Sequence, residues 1–334
     1  MKAFVFEKPG KGSIKNVDLR EIEDEEVLIK VERCGVCGTD FHIWRGTEPA
    51  SQNVILGHEY GGKIIKVGKK AHGFYEGERV SVDPNISCNH CEYCKDAKPN
   101  LCTNLKALGV DIDGGFSEYS IVPFKQLYKI PNAVPIDDVA LIEPLACCIH
   151  GIERLNINVG DKVLVIGGGT IGLIMVQLAK ISGASKVILS EISDYKRKIA
   201  EELGADVTLN PQEEDLLDFL KKDELPDKVI ESVGIPSTQE QAIKVSKRGG
   251  KILMFGCGPM GETFKVGSFE IYNNELSIIG SALNPFSHQK AVKMVIGRKI
   301  NLEPLVTRRI TLENLPSLLE KGGEKEDIKI VVEP

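Results

Sequence analysis

Four cysteines are crowded into one short stretch of the chain, where their thiolates could bind a metal ion. Their spacing is Cys88-x2-Cys91-x2-Cys94-x7-Cys102. Four thiolates from one loop suit a closed tetrahedral zinc site. An iron–sulfur cluster also takes four thiolates, but the last gap of seven residues and the absence of proline after Cys102 depart from the bacterial ferredoxin pattern. We therefore predict a structural zinc ion with no open coordination position.

Thiol, imidazole and carboxylate groups in three other segments could form a second metal site. These segments cover 34–42, 57–62 and 143–150. Each of these side chains alone is more often a packed or solvated residue than a ligand. Together they offer the ligand types of a zinc ion held by three protein groups, which keeps one exchangeable position and is catalytic rather than structural.

A glycine-rich turn between a predicted strand and a predicted helix matches the G-x-G-x-x-G pattern for dinucleotide binding. Glycine lets the backbone approach a pyrophosphate, and the unpaired N–H groups at the helix N-terminus bind its charge. The alternative interpretation is a turn that only packs the helix on the strand. The candidate coenzyme contacts in this turn are Gly167, Gly169, Thr170, Ile171 and Gly172.

A carboxylate at the end of the next predicted strand indicates which coenzyme the turn binds. Glu191 lies 19 residues after Gly172, where an acidic side chain accepts hydrogen bonds from the adenosine ribose and disfavours a 2′-phosphate. We therefore predict NAD in preference to NADP. Lys196 lies close enough in sequence to weaken that preference.

The elements that must position these groups change in character near Gly160. Before it, short alternating apolar runs and glycine or proline turns predict a β-rich half. After it, six strand-sized runs alternate with helix-sized segments, which predicts an α/β domain with a Rossmann-type, doubly wound parallel sheet. Two helix starts are expected, one capped by Ser193 and one with a capping box formed by Ser237 and Glu240.

The C-terminal tail has too few elements to fold alone. A helix over 287–296 and a strand over 328–332 are its clearest predicted elements. We expect the tail to rejoin the first half. One domain would then comprise residues 1–150 and 286–334, and the other would comprise residues 151–285.

Composition restricts the class of protein further. The chain has 334 residues with 42 basic and 48 acidic side chains, a net charge of −6, so no global positive field attracts nucleic acid or an anionic membrane. A zinc-ribbon regulatory or nucleic-acid-binding protein is the alternative of another class, but the cysteine lobe mixes lysines with acidic residues and has no basic stripe. Clustered cysteines and the lack of a signal-peptide pattern indicate a cytoplasmic protein.

The chain resembles the zinc-dependent medium-chain dehydrogenase/reductase family over essentially its whole length, and its motifs occur in the order typical of that family. The family's Gly-His-Glu motif is present as Gly57-His58-Glu59, and its Cys-Gly-(Ser/Thr)-Asp motif begins at Cys37. The segment Glu143-Pro144-Leu145 is similar to the branch of polyol and threonine dehydrogenases.

This resemblance implies a β-rich, GroES-like catalytic domain beside the Rossmann domain, with the active site in a cleft. It also implies two zinc ions per chain and a homotetramer or homodimer. The implied ligands of the catalytic zinc are Cys37, His58 and either Glu59 or Glu143, and sequence does not separate the two carboxylates. Thr39 and His42 are the implied carriers of the alcohol proton.

The resemblance implies hydride transfer between NAD and a secondary alcohol, but the substrate depends on residues without a sequence code. We assign Ile43, Trp44 and Asn284 to the substrate pocket and Leu283 to the coenzyme. The segment Leu283-Asn284-Pro285-Phe286 replaces the Arg-Tyr pair of animal sorbitol dehydrogenases. This replacement disfavours sorbitol itself. Because Asn284 can still hydrogen-bond a hydroxyl, a different sugar alcohol or a hydroxylated sugar acid is favoured, followed by L-threonine or a simple secondary alcohol such as butanediol. A zinc-free quinone reductase relative is disfavoured because that branch lacks both cysteine sets.

Overall fold

The computed structural model describes residues 1–334 and separates them into two compact units. Unit 1 comprises Met1–Ala146 and Leu283–Pro334, and unit 2 comprises Cys147–Ala282. All the helices fall short of the length and apolar character that crossing a bilayer requires.

The first 146 residues are mainly short strands, as the alternating pattern predicts. Two helices and three 3₁₀ turns interrupt them, and a third helix begins at Ile142. The elements are β1 (Lys2–Lys8), β2 (Lys11–Asn16), β3 (Glu26–Val36), α1 (Gly38–Arg45), β4 (Val54–Ile55), β5 (Glu59–Val67), β6 (Arg79–Val82), β7 (Asn85–Ile86), α2 (Glu92–Lys95), β8 (Lys106–Ala107), β9 (Tyr119–Pro123), β10 (Leu127–Ile130) and α3 (Ile142–Leu155).

Unit 2 alternates strands and helices after α3. Its elements are β11 (Lys162–Ile166), α4 (Thr170–Ile181), β12 (Lys186–Ser190), α5 (Asp194–Glu202), β13 (Val207–Leu209), α6 (Leu216–Lys221), β14 (Lys228–Glu231), α7 (Pro236–Lys244), β15 (Lys251–Met254), α8 (Ser268–Asn274) and β16 (Ser277–Gly280). The tail adds α9 (His288–Ile296), β17 (Val306–Thr311), α10 (Leu315–Lys321) and β18 (Lys329–Glu333).

Strand β3 organises the large sheet of unit 1. It pairs antiparallel with β5, with β9 and with β18 from the tail. In this register Gly35 lies opposite Glu59 on one side and opposite Val331 on the other. The sheet therefore brings the start of β5 and the start of the last strand to the same end of β3.

Six parallel strands form the sheet of unit 2 in the order β13-β12-β11-β14-β15-β16. The central strands are apolar and buried on both faces, as helices on both sides of a parallel sheet require, and Val163, Leu164 and Val165 have no exposed surface. The predicted fold class, a Rossmann-type sheet with a separate β-rich unit, is confirmed.

One of the two expected helix caps is confirmed. The Ser193 hydroxyl accepts a hydrogen bond from the Lys196 N–H at the start of α5. The capping box at Ser237 is wrong, because α7 begins at Pro236 and its N-cap, Ile235, makes no side-chain cap. Proline has no N–H and its fixed φ suits the first helical position, so the helix starts one residue before the serine. Glu240 instead accepts a hydrogen bond from the Lys265 N–H.

Candidate metal centres and coenzyme cradle

Three groups from the predicted second metal site lie together in unit 1. The ligand atoms of Cys37, His58 and Glu59 all lie within 4.8 Å of one another, and His58 and Glu59 are buried. A thiolate, an imidazole and a carboxylate at this separation fit the donor set of zinc with three protein ligands.

The local backbone explains how Cys37 is positioned. Cys37 is the N-cap of α1, and its N–H donates to the carboxylate of Asp40 at 2.8 Å. The other oxygen of Asp40 lies 3.8 Å from Nδ1 of His58, and neither of these two atoms has a hydrogen-bond partner. A carboxylate beside the second ring nitrogen of a metal-binding histidine is a common orienting arrangement, so the orphaned pair fits a bound cation at His58.

Glu59 is held by the sheet, at the first position of β5. A Cβ atom added to Gly35 across the ladder would lie 2.3 Å from a carboxylate oxygen of Glu59. Glycine at this position therefore makes room for the glutamate. The same oxygen accepts a 2.5 Å hydrogen bond from Lys329 on β18, and both side chains are almost completely buried.

Lys329 also donates to the carbonyl oxygen of Val36 at 3.1 Å. Burial alone would lower its pKa, but the negative charges of Glu59 and Cys37 raise it, so the ammonium stays protonated. Removing one partner of such a buried ion pair strongly destabilises the folded protein, because the other charge then stays buried without a partner. Lys329 thus holds the carboxylate of Glu59 through one of its oxygens.

The electrostatics of this cluster favour a cation. Burial raises the pKa of Asp40 to about 6, against the opposing effect of His58. Burial would lower the pKa of His58, but the neighbouring Cys37 thiolate, followed by Asp40 and Glu59, raises it well above the usual range. An imidazole that binds protons this tightly lies in a negative potential, which also attracts a metal ion.

Glu143, the alternative carboxylate, lies in the first turn of α3 and is buried. It contributes to the electrostatic environment of Lys329, but it is not one of the three residues whose ligand atoms cluster. The geometry therefore favours Glu59 over Glu143 as the third ligand in this conformation.

The four lobe cysteines form the other cluster. The sulfur atoms of Cys88, Cys91, Cys94 and Cys102 lie within 4.8 Å of one another as free thiols. Backbone N–H groups point at these sulfurs, for example Cys91 N–H at 3.4 Å from Cys88. The backbone N–H of His90 also lowers the pKa of Cys88 to about 6. Burial, in contrast, raises the pKa of Cys94 to about 11. Four cysteine sulfurs at this separation fit a tetrahedral metal site.

The glycine turn of unit 2 has the shape that a dinucleotide requires. Gly167 adopts a left-handed φ of 99°, and a Cβ at Gly172 would lie 1.8 Å from the Gly167 carbonyl oxygen. A Cβ at Gly169, the N-cap of α4, would meet nothing within 4 Å. Thr170 and Ile171 form the first turn of α4, whose N–H groups can bind an anion.

Glu191 directly follows β12, as the coenzyme hypothesis requires. Its carboxylate accepts hydrogen bonds from the Gly168 N–H at 2.6 Å and from the Ser193 N–H at 2.8 Å, so it already contacts the glycine turn. The half-buried Lys196 contributes its backbone to the α5 cap, whereas Arg197 donates to the carbonyl oxygen of Glu191 at 2.7 Å.

The predicted proton carriers lie on α1. Thr39 and His42 are half-buried on this helix, and Nδ1 of His42 lies 3.1 Å from the Thr47 hydroxyl.

The two apolar residues assigned to the substrate pocket differ in burial. Ile43 has no exposed surface and belongs to the hydrophobic core, so its place in a pocket wall stays a prediction. Trp44 is half-buried and packs against Phe4.

Asn284, the polar residue assigned to the substrate, makes several contacts within the protein. It is buried, and its amide contacts Asn85 at 2.7 Å, Asp83 at 3.4 Å and His288 at 3.4 Å. These contacts occupy its polar atoms and favour a structural role over a substrate contact. Leu283 has a left-handed φ of 57° and lines, with Asn284, a cavity of about 190 Å³ that also includes Cys94.

Comparisons with known proteins agree with this geometry. Residues 23–132 match the alcohol dehydrogenase GroES-like domain, and residues 170–296 match the zinc-binding dehydrogenase family. D-arabinitol dehydrogenase 1 of Uromyces fabae is 32% identical over 100% of this chain and 97% of its own. L-threonine 3-dehydrogenase of Pyrococcus horikoshii is 33% identical over 92% of this chain and 91% of its own.

A solved structure gives the same result. The zinc-binding dehydrogenase of Sinorhizobium meliloti 1021, crystallised with NADP, superposes with a TM-score of 0.97 at 39% identity, covering 100% of this chain and 99% of that chain. The chain belongs to the zinc-dependent alcohol dehydrogenase family. The prediction of a zinc-containing alcohol dehydrogenase that acts on a small molecule is therefore confirmed at the level of the family, and its coenzyme is confirmed as NAD(P), without the predicted preference for NAD.

Sequence analysis assigned no role to two residues of this alcohol dehydrogenase that contact the cluster of Cys37, His58 and Glu59. Asp40 follows Cys37 by three residues, the spacing of an N-cap and its partner, and that signal was available. Lys329 interrupts the apolar run of the last strand, which is the only local sign that this lysine is buried and paired.

The structural role of the cysteine lobe can be tested with Cys91→Ser. We expect this dehydrogenase variant to contain one zinc ion less per chain and to melt several degrees lower, because the lobe has no apolar core of its own and depends on the metal for folding. Metal analysis combined with thermal unfolding measures both effects. The matched control is Cys257→Ser, an exposed cysteine outside either cluster, and equal metal content in the two variants would contradict the assignment.

The role of Glu191 predicts a change of coenzyme preference. Glu191→Ala removes a charged acceptor worth about 1.5–3 kcal/mol, so the Kd for NAD should rise about 10- to 100-fold. The Kd for NADP should rise less or fall, since repulsion of the 2′-phosphate is also lost. Coenzyme fluorescence titrations give both constants, with Glu202→Ala on the exposed end of α5 as the control. If the ratio of the Kd for NAD to the Kd for NADP did not change, Glu191 would not be the residue that binds the ribose.

Proposed function

We propose that this enzyme oxidises the secondary alcohol of a sugar alcohol or hydroxylated sugar acid with NAD, using two zinc ions per chain. The observation that carries the proposal is the cluster of Cys37, His58 and Glu59, because its third group is a carboxylate and not a second cysteine. Cys88, Cys91, Cys94 and Cys102 would hold the structural ion. We further propose that unit 1 is the catalytic domain and unit 2 the coenzyme-binding domain.

The residues of the cluster fit a catalytic zinc ion in ligand type and separation. When bound, such an ion supplies a Lewis acid that lowers the pKa of an oxygen ligand. Asp40 orients His58, and Lys329 orients Glu59. Glu143 lies near Lys329 and is available as the alternative carboxylate.

The alcohol proton must leave before or with the hydride. We assign the first transfer to the Thr39 hydroxyl and the acceptance of the proton to the His42 ring, which lie on the helix that Cys37 caps. Each of these two groups can accept a proton and then release it, so each returns to its starting protonation state after the transfer. The ring of His42 is only half-buried, so it can return its proton to water.

The coenzyme would be held by the glycine turn and Glu191. A bound nicotinamide supplies the hydride acceptor. Gly167, Gly169 and Gly172 permit the backbone to approach a pyrophosphate, and Thr170 and Ile171 place the N-terminus of α4 where its N–H groups would face that charge. Glu191 supports NAD, whereas Arg197 beside it provides a cation that a 2′-phosphate could bind, so NADP is the alternative.

The substrate class is supported by the relatives. The D-arabinitol dehydrogenase aligns with all of this chain, and a carboxylate among the zinc ligands is shared with the branch of enzymes that this sequence resembles. L-threonine is the second candidate because a threonine dehydrogenase aligns over 92% of the chain. Threonine would require a recognised ammonium and carboxylate, and we assign no residues to that task.

A substrate screen tests the proposal. Zinc-loaded enzyme would be assayed for NADH formation with pentitols, hexitols, aldonates, L-threonine and 2,3-butanediol, with Cys37→Ser as the blank. We expect the highest kcat/KM with a polyol or aldonate. If the enzyme oxidised only threonine or butanediol, the proposed substrate class would be replaced. If it oxidised none of these alcohols with NAD, the proposed function would be overturned.

We propose that the enzyme is a cytoplasmic homodimer or homotetramer. Strand β16 forms the edge of its sheet and pairs only with β15. An unpaired strand edge can pair with a strand of another chain. Phe269 and Tyr272 of α8, the helix before this strand, are 72% and 82% exposed, so they add apolar surface that a second copy could cover. The reduced thiols of the lobe fit a reducing compartment. Light scattering of the purified enzyme tests the assembly.

A further inference from the structure

The end of α1 folds back onto the side chain of His42. Gly46, the C-cap, adopts a left-handed φ of 75°, which turns the chain so that Thr47 lies over the last helical turn. The Thr47 N–H donates to the carbonyl oxygen of His42 at 2.9 Å. The Thr47 hydroxyl lies 3.2 Å from that same carbonyl oxygen and 3.1 Å from Nδ1 of the His42 ring.

These two hydroxyl contacts select one tautomer of His42. A hydroxyl has one hydrogen to donate, and the carbonyl oxygen can only accept, so both contacts are hydrogen bonds at the same time only when that hydrogen goes to the carbonyl. The contact with Nδ1 is then a hydrogen bond only if Nδ1 carries a proton and donates it to Oγ of Thr47. In the neutral ring Nε2 consequently has the lone pair, because the two nitrogens of neutral imidazole have opposite roles.

On the basis of the proposed function, we propose that Thr47 is a positioning residue that fixes His42 as the Nδ1–H tautomer, so that Nε2 receives the proton of the alcohol. The proton leaves the alcohol oxygen, passes through the Thr39 hydroxyl, which gives up its own proton as it accepts this one, and is bound at Nε2, which makes the ring a cation. The ring then releases one proton to water and returns to the neutral Nδ1–H form. The hydride, a hydrogen with its electron pair, leaves the alcohol carbon separately and is accepted by the nicotinamide.

The hydroxyl of Thr47 is not required to end the helix. The N–H groups of Gly46 and Thr47 already satisfy the last carbonyls of α1, and these bonds persist whatever the side chain at position 47. The neighbouring Arg45 is directed over the Phe41 ring at 5.9 Å, so it does not replace the contact. The hydroxyl of Thr47 is therefore not needed to end the helix, and its bond to the His42 carbonyl leaves the lone pairs of Oγ for Nδ1 of the ring.

The tautomer can be measured without turnover. Zinc-loaded enzyme labelled with ¹⁵N at its six histidines would be examined by long-range ¹H–¹⁵N correlation at alkaline pH, where free imidazole is neutral, with His42→Gln to assign the signals. We expect the Nδ1–H pattern for His42 in wild type and Thr47→Ser. Thr47→Val keeps the shape but loses the hydroxyl, and should give a mixture or the Nε2–H form. An unchanged Nδ1–H pattern in Thr47→Val would overturn the inference.

Kinetics separate the inference from the proposed function. Thr47→Val should lower kcat about 10- to 100-fold with less than a twofold change in KM for NAD, and Thr47→Ser should restore kcat. A slow His42→Gln with a fully active Thr47→Val would refute the positioning role alone. A fully active His42→Gln would refute the proton step of the proposed function, while the spectra still decide the tautomer.

Discussion

Cys37→Ser should lower kcat/KM by roughly 10³-fold or more and remove one of the two zinc ions per chain. Cys37 supplies the only thiol of the three-residue cluster, and a serine hydroxyl is a poor ligand because it stays protonated near neutral pH. A Lewis-acid metal contributes several kcal/mol to such a reaction, and each 1.36 kcal/mol corresponds to about tenfold in rate. Initial rates and metal analysis on the same preparation measure both effects.

Two controls make the Cys37 result specific. Cys34→Ala changes a buried cysteine of β3 that lies outside the cluster, and it should keep both zinc ions and most of the activity. Cys91→Ser should lose the other ion. Full activity of Cys37→Ser with two bound zinc ions would exclude this cluster as the catalytic centre.

Gly172→Ala should both destabilise the coenzyme-free enzyme and abolish tight coenzyme binding. Its new methyl group would lie 1.8 Å from the Gly167 carbonyl oxygen. A backbone oxygen cannot rotate out of the way, so the start of α4 must move from the glycine turn. Overpacking of this kind costs about 1–3 kcal/mol, and we expect a lower melting temperature by several degrees and at least a tenfold weaker binding of NADH.

Gly169→Ala provides the matched comparison in the same turn. Its φ is −73°, which any residue adopts, and the methyl group would meet no atom within 4 Å. The stability of the coenzyme-free enzyme should therefore change by less than about 0.5 kcal/mol. Binding of NADH should still weaken, because the methyl group occupies the space where a pyrophosphate approaches.

Thermal unfolding without coenzyme and fluorescence titration with NADH distinguish the two glycines. Loss of stability is expected only for Gly172→Ala, and loss of affinity is expected for both. If Gly169→Ala bound NADH as tightly as wild type, the turn would not be the pyrophosphate site.

The parts of this enzyme that sequence predicted well are those encoded by near neighbours. The cysteine lobe places four ligands within fifteen residues, and the glycine turn depends on the strand before it and the helix after it. The alternation of apolar runs likewise predicted the parallel sheet. Local spacing restricts geometry in each case, because a short loop leaves few ways to arrange its side chains.

One local prediction was wrong because a competing local preference decided the outcome. Ser237 and Glu240 have the spacing of a capping box, but Pro236 starts α7 and places the serine inside the helix. Ile43 follows His42, the proposed proton carrier, by one residue, yet it is buried in the core. On a helix, adjacent residues face different directions, so proximity in sequence to a functional residue does not place a side chain in the same pocket.

By itself the sequence determined the fold class, the ligand types and the coenzyme motif of this enzyme. Only the tertiary structure decided that Glu59 rather than Glu143 joins Cys37 and His58, that Lys329 binds Glu59 from 270 residues away, and that Asn284 is occupied by Asn85. These choices depend on the register of β5, β3 and β18 and on the return of the tail. Long-range pairing of this kind is the sum of many burial and hydrogen-bond terms, and no short motif encodes it.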